Sequence, residues 1–432
     1  MSTPPQASWR DGVTPYQWRV LLVAWLGWVF DSMDATIYAI VLHPALHDLL
    51  HAGPGGASVG DADIGWYGGI IFSIFLVGWA VGGVLFGVAA DYFGRTKTLV
   101  VTILIYALFT GLAALSQDWW HLAIYRFLTA LGVGGEWAAG AAIVAEVWPE
   151  EKRAKAASIL QSAWAVGFFL AAAFNLMLRG HSWRVLFLVG VAPALVALLV
   201  RLWVKEPERW VKAHAQELQA GPVRGVKILE LFRGDFLRPT LVGSGLAFVA
   251  VFGLWGATNW TATLVRRLPD VTGLDAATVT TNVSYAIMWL NVGALAGYLS
   301  FGPLADRFGR RPVFALMCGG SFVMLPIIFL VPRPYDHVLL LLPLLGFFNN
   351  GIFSGFPIYL TELYPTRIRA TGAGFCFNAG RVLAAVGPFL TGFLEQSLGS
   401  LGRAASAIAL IYLVGLAILP FAPETRGKPL PE

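Results

Sequence analysis

The chain has 432 residues, of which 57% are hydrophobic and only 13% are charged, and its mean hydropathy is +0.68. A typical soluble domain carries about 25% charged residues. This composition cannot cover the wet surface that a soluble enzyme of this length needs. We therefore predict an all-α membrane protein, because the strands of a membrane barrel give a much weaker apolar signal.

Twelve apolar stretches approach the length of about 20 residues that a membrane-crossing helix needs. Six lie in the first half, at 19–43, 65–90, 97–115, 121–146, 154–178 and 184–204. Six lie in the second half, at 240–264, 281–305, 312–332, 338–362, 370–394 and 403–422. The sequence thus predicts a cytoplasmic N-terminus (1–18), a six-helix bundle (19–204), a cytoplasmic linker with short amphipathic helices (205–238), a second six-helix bundle (239–422) and a cytoplasmic tail (423–432).

The cationic residues are concentrated on one side of these predicted spans. With the N-terminus placed in the cytoplasm, the cytoplasmic segments hold 22 Lys and Arg residues and the outer loops hold six, while Arg126 and Arg381 lie inside spans. Cytoplasmic loops of membrane proteins carry an excess of Lys and Arg. We therefore predict a multi-pass protein of the cell membrane with both termini in the cytoplasm. This topology accounts for the net charge of +5, and we expect no nucleic-acid partner.

The two halves contain similar segments. The segment that runs from Glu146 to Ala154 resembles that from Glu362 to Ala370, at an offset of 216 residues, which is half of the chain length. Asp91-Tyr-Phe-Gly-Arg95 and Asp306-Arg-Phe-Gly-Arg310 are repeated at an offset of 215. Two six-helix halves related by duplication follow from these repeats. Such parallel repeats place a ligand site between the halves, near the middle of the membrane.

These repeated segments resemble the signature motifs of the major facilitator superfamily. The segment Gly87–Lys97 is similar to the loop between spans 2 and 3 of that superfamily, and Gly302–Arg311 is its second copy. Arg126–Trp137 resembles the span-4 motif of proton-coupled members, and Pro423–Gly427 resembles the tail of sugar and metabolite porters. The resemblance covers the whole chain. It implies two six-helix bundles and transport by alternating access.

A narrower resemblance concerns span 1. Phe30-Asp-Ser-Met-Asp-Ala-Thr36 and the Gly-Gly-Glu-Trp of span 4 are similar to the sialate and lactate proton symporters, and aromatic-acid symporters share a similar Asp-x-x-Asp in span 1. The resemblance implies that a proton travels with a small organic anion.

Five ionisable residues lie deep in the predicted spans, namely Asp31, Asp34, Arg126, Glu136 and Arg381. A charge at the centre of a bilayer costs about 3 kcal/mol on insertion scales, so each needs a partner or water. Asp31 and Asp34 are three residues apart and share one face of the helix. Two acids this close do not ionise independently, which suits them to carry a proton.

The resemblance implies that Asp34 pairs with Arg126, as span 1 and span 4 do in related proton symporters. Protonation of Asp34 then frees Arg126, and deprotonation recaptures it. The alternative is a static ion pair that orients the two spans. Glu136 follows two glycines that permit close helix contact, and it belongs either to the proton path or to a pairing within the first half.

Arg381 is the candidate for binding an anion. No acid in spans 7 to 12 lies at its depth, and its planar guanidinium matches a carboxylate. The alternative is a link to the acids of the first half. Other mid-depth candidates for binding the substrate are Asn378, Asn349, Asn350, Gln161, Asn291 and Arg126. Each amide either lines the cavity or bonds a neighbouring helix.

The repeated loops supply matched acids and bases. We predict that they form a latch at the cytoplasmic face, with bonds near water that are individually modest and breakable. The latch residues are Asp91, Arg95, Glu146 and Arg153 in the first half and Asp306, Arg310, Glu362 and Arg369 in the second.

Signals for an enzyme are lacking in the sequence. It has no Walker-type loop, its Gly-x-Gly lies inside a membrane span, and its histidines show no metal-binding spacing, so we expect neither a cofactor nor a metal. We predict a monomeric proton-coupled symporter of a monocarboxylate such as lactate or pyruvate. The alternatives are a sialic acid or aromatic-acid proton symporter, a proton-driven efflux antiporter, and a nutrient sensor that does not transport.

Overall fold

A computed structural model of the protein describes residues 11–51, 60–178, 181–219, 227–331, 333–384 and 387–432. Within these ranges the chain is almost entirely helical and contains no strand. Parts of four predicted segments lie outside the described residues, namely 1–10 of the N-terminal segment, 52–59 and 179–180 of the first bundle, 220–226 of the linker, and 332 and 385–386 of the second bundle.

Seven helices form the first half. They are α1 (Pro15–His51), α2 (Asp61–Phe93), α3 (Arg95–Ala113), α4 (Trp119–Val147), α5 (Arg153–Met177), α6 (Trp183–Val189) and α7 (Pro193–Trp203). The short linker helices follow as α8 (Glu208–Gln219) and α9 (Lys227–Glu230). Helix α1 begins before the predicted span and runs well past residue 43, where that span was expected to end.

The second half contains ten helices. They are α10 (Leu237–Gly256), α11 (Thr261–Arg266), α12 (Ala276–Phe308), α13 (Arg310–Phe329), α14 (Tyr335–Gly351), α15 (Gly355–Glu362), α16 (Arg369–Ala384), α17 (Gly387–Leu398), α18 (Leu401–Ala409) and α19 (Ile411–Ile418). Short 3₁₀ turns join several of them, for example Ile352–Ser354 between α14 and α15.

Ten of the predicted spans appear as helical segments that are long and apolar enough to cross a membrane in the described part of the chain. The other two are the stretches 184–204 and 370–394, and the first is built from two shorter helices. It consists of α6 and α7, and α7 starts with Pro193, which favours the first helical position because it lacks an N–H group. In the second, α16 and α17 lie on either side of residues 385–386, which are outside the described part of the chain. The architecture is that of twelve membrane-crossing elements in two six-helix bundles.

The repeated Asp-x-x-Gly-Arg segments have a conformational basis. Gly94 joins α2 to α3 with φ of +113°, and Gly309 joins α12 to α13 with φ of +100°. Only glycine adopts this region without strain, so the same sharp connection recurs in each half.

The halves meet through two helix pairs that repeat each other. Helix α2 of the first half packs on α16 of the second, and α12 of the second half packs on α5 of the first. At the first crossing the backbones nearly touch, because a Cβ atom at Gly374 would lie 2.4 Å from the carbonyl oxygen of Gly83. At the second, the backbone N–H of Gly302 donates to the Ser158 hydroxyl at 2.7 Å, and Ser158 also contacts the Ser354 hydroxyl at 3.0 Å.

Both ends of the described chain lie at the same end of the molecule, which we call the termini face. The carbonyl of Asp11 accepts a hydrogen bond from Lys152. In the C-terminal tail, the carbonyl of Lys428 accepts one from Arg153 at 2.9 Å. The repeated loops therefore lie at this face, between the two halves.

Candidate functional site

A small cavity lies between the two halves. Its lining residues are Trp28, Trp79, Gln161 and Trp164 from the first half and Val251, Leu254, Trp255, Tyr298, Asn350, Phe353, Phe377 and Arg381 from the second. Its free volume is about 40 Å³, which admits a few water molecules but not an organic molecule. In this conformation the cavity is therefore too small to hold an organic substrate.

Arg381 provides the positive charge of this cavity. Its Nη1 donates to Oδ1 of Asn378 at 2.8 Å, and its guanidinium carbon lies 3.9 Å from the ring centre of Trp79 and 4.7 Å from that of Phe377. No described residue forms an ion pair with Arg381, so the predicted alternative of a link to an acid of the first half is not seen. Asn378 and Trp79 hold the guanidinium in one orientation while its charge remains uncompensated.

Three of the predicted amide side chains belong to the cavity and two do not. Gln161 and Asn350 line the cavity, and Asn378 accepts a hydrogen bond from Arg381. Asn349 lies elsewhere, because its Nδ2 donates to the Tyr412 hydroxyl at 2.5 Å inside the second half. Asn291 donates to the carbonyl of Ile287 on its own helix and does not line the cavity.

The aromatic walls of the cavity were largely missed by sequence reasoning. Trp79 and Trp164 stack with ring centres 6.0 Å apart, and Trp28 and Trp164 lie 5.3 Å apart. Tyr298 and Phe353 complete the lining from the second half. Tryptophans are common throughout this chain, so composition and span depth alone gave no signal that these particular rings meet.

Asp34 and Arg126 form a buried ion pair in the first half. Nη1 of Arg126 donates to both carboxylate oxygens, at 2.8 and 3.1 Å, and the Thr110 hydroxyl donates to Asp34 at 2.9 Å. The guanidinium carbon lies 4.5 Å from the ring centres of both Tyr38 and Phe75, which stack on each other with their centres 6.3 Å apart. The pairing that the resemblance implied is thus present in the geometry, although its role in transport is not tested by it.

Asp31 and Glu136 are also deep in the first half. Asp31 is 0% exposed and Glu136 is 2% exposed. Their carboxylate oxygens accept no hydrogen bond from any described residue. Neither carboxylate forms an ion pair with Arg126 in the described structure, because Arg126 pairs with Asp34.

The first half of the predicted latch surrounds Arg95. Its guanidinium contacts Asp91 at 2.9 Å and Glu146 at 3.0 Å, and Glu146 in turn contacts Arg369 of the other half at 2.9 Å. Arg95 also donates to the carbonyl of Thr366 at 2.5 Å. Ion pairs and hydrogen bonds therefore cross between the halves at this point.

The second copy surrounds Glu362. Arg310 donates to both of its oxygens, at 2.8 and 3.0 Å, and Arg153 of the other half donates to it at 2.9 Å. Asp306 contacts Arg310 at 3.3 Å. All eight predicted latch residues therefore lie at the termini face, in two clusters that each cross between the halves.

The expectation that the latch lies near water is wrong. The side chains of Arg95, Glu146 and Arg369 are 0% exposed. They are covered by the C-terminal tail, whose Pro431 carbonyl accepts from Arg369 at 2.9 Å, and by the linker, whose buried Lys227 donates to carbonyls of both halves. Buried ion pairs are costly to break from one side only, so we expect opening of the latch to require movement of these covering segments.

Three carboxylates also bind the first turns of helices at this face. Asp91 accepts from the backbone N–H groups of Ala370 and Thr371, at 3.3 and 2.7 Å, at the start of α16 in the other half. Glu206 does the same for α3, and Glu424 does so for α13. The first turn of a helix attracts negative charge. Sequence reasoning missed the role of Glu206.

The ionisation of Glu424 provides a test of this arrangement. Partial burial opposes its charge, but backbone N–H donors at the start of α13 and in the tail outweigh burial and lower the pKa of Glu424. A lowered pKa stabilises the fold above the ordinary carboxyl range, and this contribution disappears as the pH falls through the lowered value. We expect Glu424→Gln to lower the melting temperature at pH 7 and to have less effect near pH 4. A difference between the two proteins that stays constant across this range in thermal unfolding would contradict the assignment.

The chain forms two six-helix bundles that meet around a positively charged cavity. This is the architecture of a membrane carrier that moves small solutes. A profile described as Major Facilitator Superfamily matches residues 24–300, and one described as Sugar (and other) transporter matches residues 226–432. The chain belongs to the Major Facilitator Superfamily and is a multi-pass membrane transporter, not an enzyme.

Relatives of similar length support this assignment. A putative metabolite transport protein of Haemophilus influenzae is 34% identical, with 97% of this chain and 99% of the relative covered. The sialic acid transporter NanX of Escherichia coli is 30% identical, with 95% and 96% covered. The cis,cis-muconate transport protein of Acinetobacter baylyi is also 30% identical, with 94% of each chain covered.

The fold is also that of a solved transporter. The structure of the proton:xylose symporter XylE bound to 6-bromo-6-deoxy-D-glucose superposes with a TM-score of 0.77, covering 96% of this chain and 98% of that chain at 19% identity. At this identity the likeness concerns the fold alone.

Proposed function

We propose that the protein is a proton-coupled symporter of a small organic anion that works by alternating access. The observation that carries this proposal is Arg381, a buried guanidinium that lines the cavity between the halves without an acid partner among the described residues. An anion that enters the cavity supplies the missing counter-charge, and a carboxylate matches the planar guanidinium.

The coupling proposal rests on the Asp34–Arg126 pair. In the conformation described here the two side chains neutralise each other. Protonation of Asp34 removes the charge that holds Arg126, so the pair works as a switch that depends on proton binding. Asp31 and Glu136 belong to the same network of acids and supply further places for a proton.

The aromatic lining bears on the choice of substrate. Lactate and pyruvate are small, whereas Trp28, Trp79 and Trp164 present large faces beside Arg381. Such faces pack well on planar, unsaturated or aromatic groups. One relative is named for cis,cis-muconate, which is an unsaturated carboxylate. We therefore propose that the substrate is an aromatic or unsaturated carboxylate in preference to lactate.

An efflux antiporter and a sensor that does not transport receive less support. An antiporter of cations or neutral amphiphiles has no use for an uncompensated cation such as Arg381 in its cavity. A sensor has no need of a latch built from matched acids and bases in both halves. We propose a monomer of the cell membrane whose termini face is cytoplasmic, as the distribution of Lys and Arg indicates.

Uptake into proteoliposomes tests the proposal. With an inward proton gradient, we expect accumulation of a labelled carboxylate from a panel of lactate, sialic acid, benzoate and cis,cis-muconate. We expect no accumulation when the gradient is collapsed by a protonophore. Uptake of none of these acids, or uptake that ignores the gradient, would count against the symporter.

Asp34→Asn tests the coupling. The amide keeps the shape of the side chain but cannot bind or release a proton, so Arg126 loses its charged partner. We expect gradient-driven accumulation to be lost while exchange of labelled for unlabelled substrate continues without a gradient. Accumulation by this variant at the wild-type level would contradict the role of Asp34.

A further inference from the structure

Two carboxylates in the first half lack the counter-charge that Asp34 has. Asp31 and Glu136 are almost completely buried, and none of their four oxygens accepts a hydrogen bond from the described part of the chain. An ionised carboxylate without a partner is strongly unfavourable in such a place. Two adjacent ones do not both remain ionised, because their repulsion adds to the cost of burial.

Gly27 brings these two carboxylates together. A Cβ atom at Gly27 would lie 1.8 Å from Oε1 and 3.0 Å from Cδ of Glu136. The Glu136 carboxylate therefore occupies the space that any other side chain would fill. Asp31 follows Gly27 by one turn on the same face of α1, so it lies on the side of α1 that the Glu136 carboxylate meets.

The surroundings of this pair contain one hydroxyl and one bound cation. From α3, Tyr106 is 0% exposed, its hydroxyl has no described partner, and it interacts with the same acids. Asp34 of α1 lies nearby and holds Arg126 of α4. Helices α2, α5, α6 and α7 also pack on α1, but their titratable residues lie only near their ends. Among the described residues the pair thus has no ion-pair partner, since Asp34 holds Arg126, and Arg381 of α16, a helix that also packs on α4, lies in the cavity over Trp79.

We propose that Asp31 and Glu136 hold one proton between them, and that Gly27 makes the space in which the Glu136 carboxylate lies against the face of α1 that carries Asp31. In this conformation the pair holds the proton, while Asp34 pairs with Arg126. Release of the shared proton leaves two charges on the pair, so it requires a conformation in which water or Arg126 reaches them. The role in transport rests on the proposed proton coupling, whereas the shared proton is a property of the folded protein.

Infrared difference spectroscopy tests the shared proton directly. At neutral pH we expect the wild type to show the C=O stretch of a protonated carboxylic acid. The double variant Asp31→Asn/Glu136→Gln should lose this band, and Asp34→Asn should keep it. A band that survives in the double variant, or one that disappears in Asp34→Asn, overturns the proposal. This measurement does not depend on the identity of the transported substrate.

Gly27→Ala tests the positioning without changing any charge. The added methyl displaces the Glu136 carboxylate, so we expect the carboxylic acid band to shift and the pH profile of uptake to move. Combining it with Glu136→Asp, which shortens the side chain by one methylene, should restore the wild-type band. Gly140→Ala is the matched control on α4, because its nearest neighbour would be Ala24 Cβ at 3.9 Å. Identical spectra for Gly27→Ala and Gly140→Ala contradict the role of Gly27.

Transport assays separate this inference from the symporter proposal. If the wild type shows no gradient-driven uptake but has the band and loses it in the double variant, the symporter proposal fails and the shared proton stands. If the wild type is gradient-driven and the double variant keeps both its pH profile and its proton-to-substrate ratio, the proton-carrying role of the pair is wrong. We expect the double variant to exchange substrate but to move fewer protons with it.

Discussion

Arg381→Ala is expected to abolish carboxylate binding while the protein remains folded. The guanidinium is the positive charge of the cavity and is held by Asn378 and Trp79. Loss of one partner of a desolvated charge pair typically costs 2–5 kcal/mol, or roughly 30-fold to several thousand-fold in Kd. The measurement is the rise in melting temperature that a carboxylate induces, since a ligand that binds only the folded state stabilises it.

Two controls accompany this variant. Arg403→Ala removes an exposed arginine of the same half, and it should leave both binding and melting temperature unchanged. Arg381→Lys keeps the charge but loses the planar fork and its stacking on Trp79, so we expect intermediate binding. Because Arg381 is a buried cation without an acid partner among the described residues, its removal should not lower the melting temperature of the protein without ligand. Wild-type affinity in Arg381→Ala would remove the anion site.

Glu362→Ala is expected to open the termini face. Glu362 accepts from Arg153 of the first half, from Arg310 at two atoms, and from Thr425 of the tail. The variant leaves the buried Arg153 without its acid and leaves Arg310 with Asp306 alone, and breaking a buried pair in this way typically costs about 3–5 kcal/mol. The melting temperature should fall, and the population that is open at this face should rise.

Maleimide labelling of Ser158→Cys reports this opening, in a chain whose two buried native cysteines are replaced. Ser158 is 1% exposed and lies between the halves, so it reacts only when they separate. Glu150→Ala is the control at the same face, since its pair with Arg209 is partly exposed and such pairs contribute about 0–1 kcal/mol. Equal labelling and equal melting temperatures for the two variants would falsify the latch.

Much of the fold was predictable because each span must be long and apolar. The split into α6 and α7 was not predicted, because the stretch 184–204 has the composition of a single span and breaks only at the turn before Pro193. Ionisable residues such as Asp34 and Arg381 were found because charge at that depth is rare and costly.

The arrangement around these residues was harder to predict. Depth along a helix does not say which face points to the cavity, and Asn349 therefore faces Tyr412 while Asn350 lines the cavity. The burial of the latch depends on how the linker and the tail dock, which is a property of the tertiary structure. The sequence places Gly27 beside the acids of span 1, where a neighbouring helix can approach, but it does not show that the side chain of Glu136 on α4 occupies that space.

Helix α16 has a mechanical consequence. Its first residue, Arg369, belongs to the latch, and Arg381 in its last turn belongs to the cavity. Twelve residues of α-helix form a stiff rod about 18 Å long. When one end of this helix tilts, the other end therefore moves with it. We therefore expect an anion that draws Arg381 inward to move Arg369 of the latch through the helix itself. No relay through intervening side chains is required.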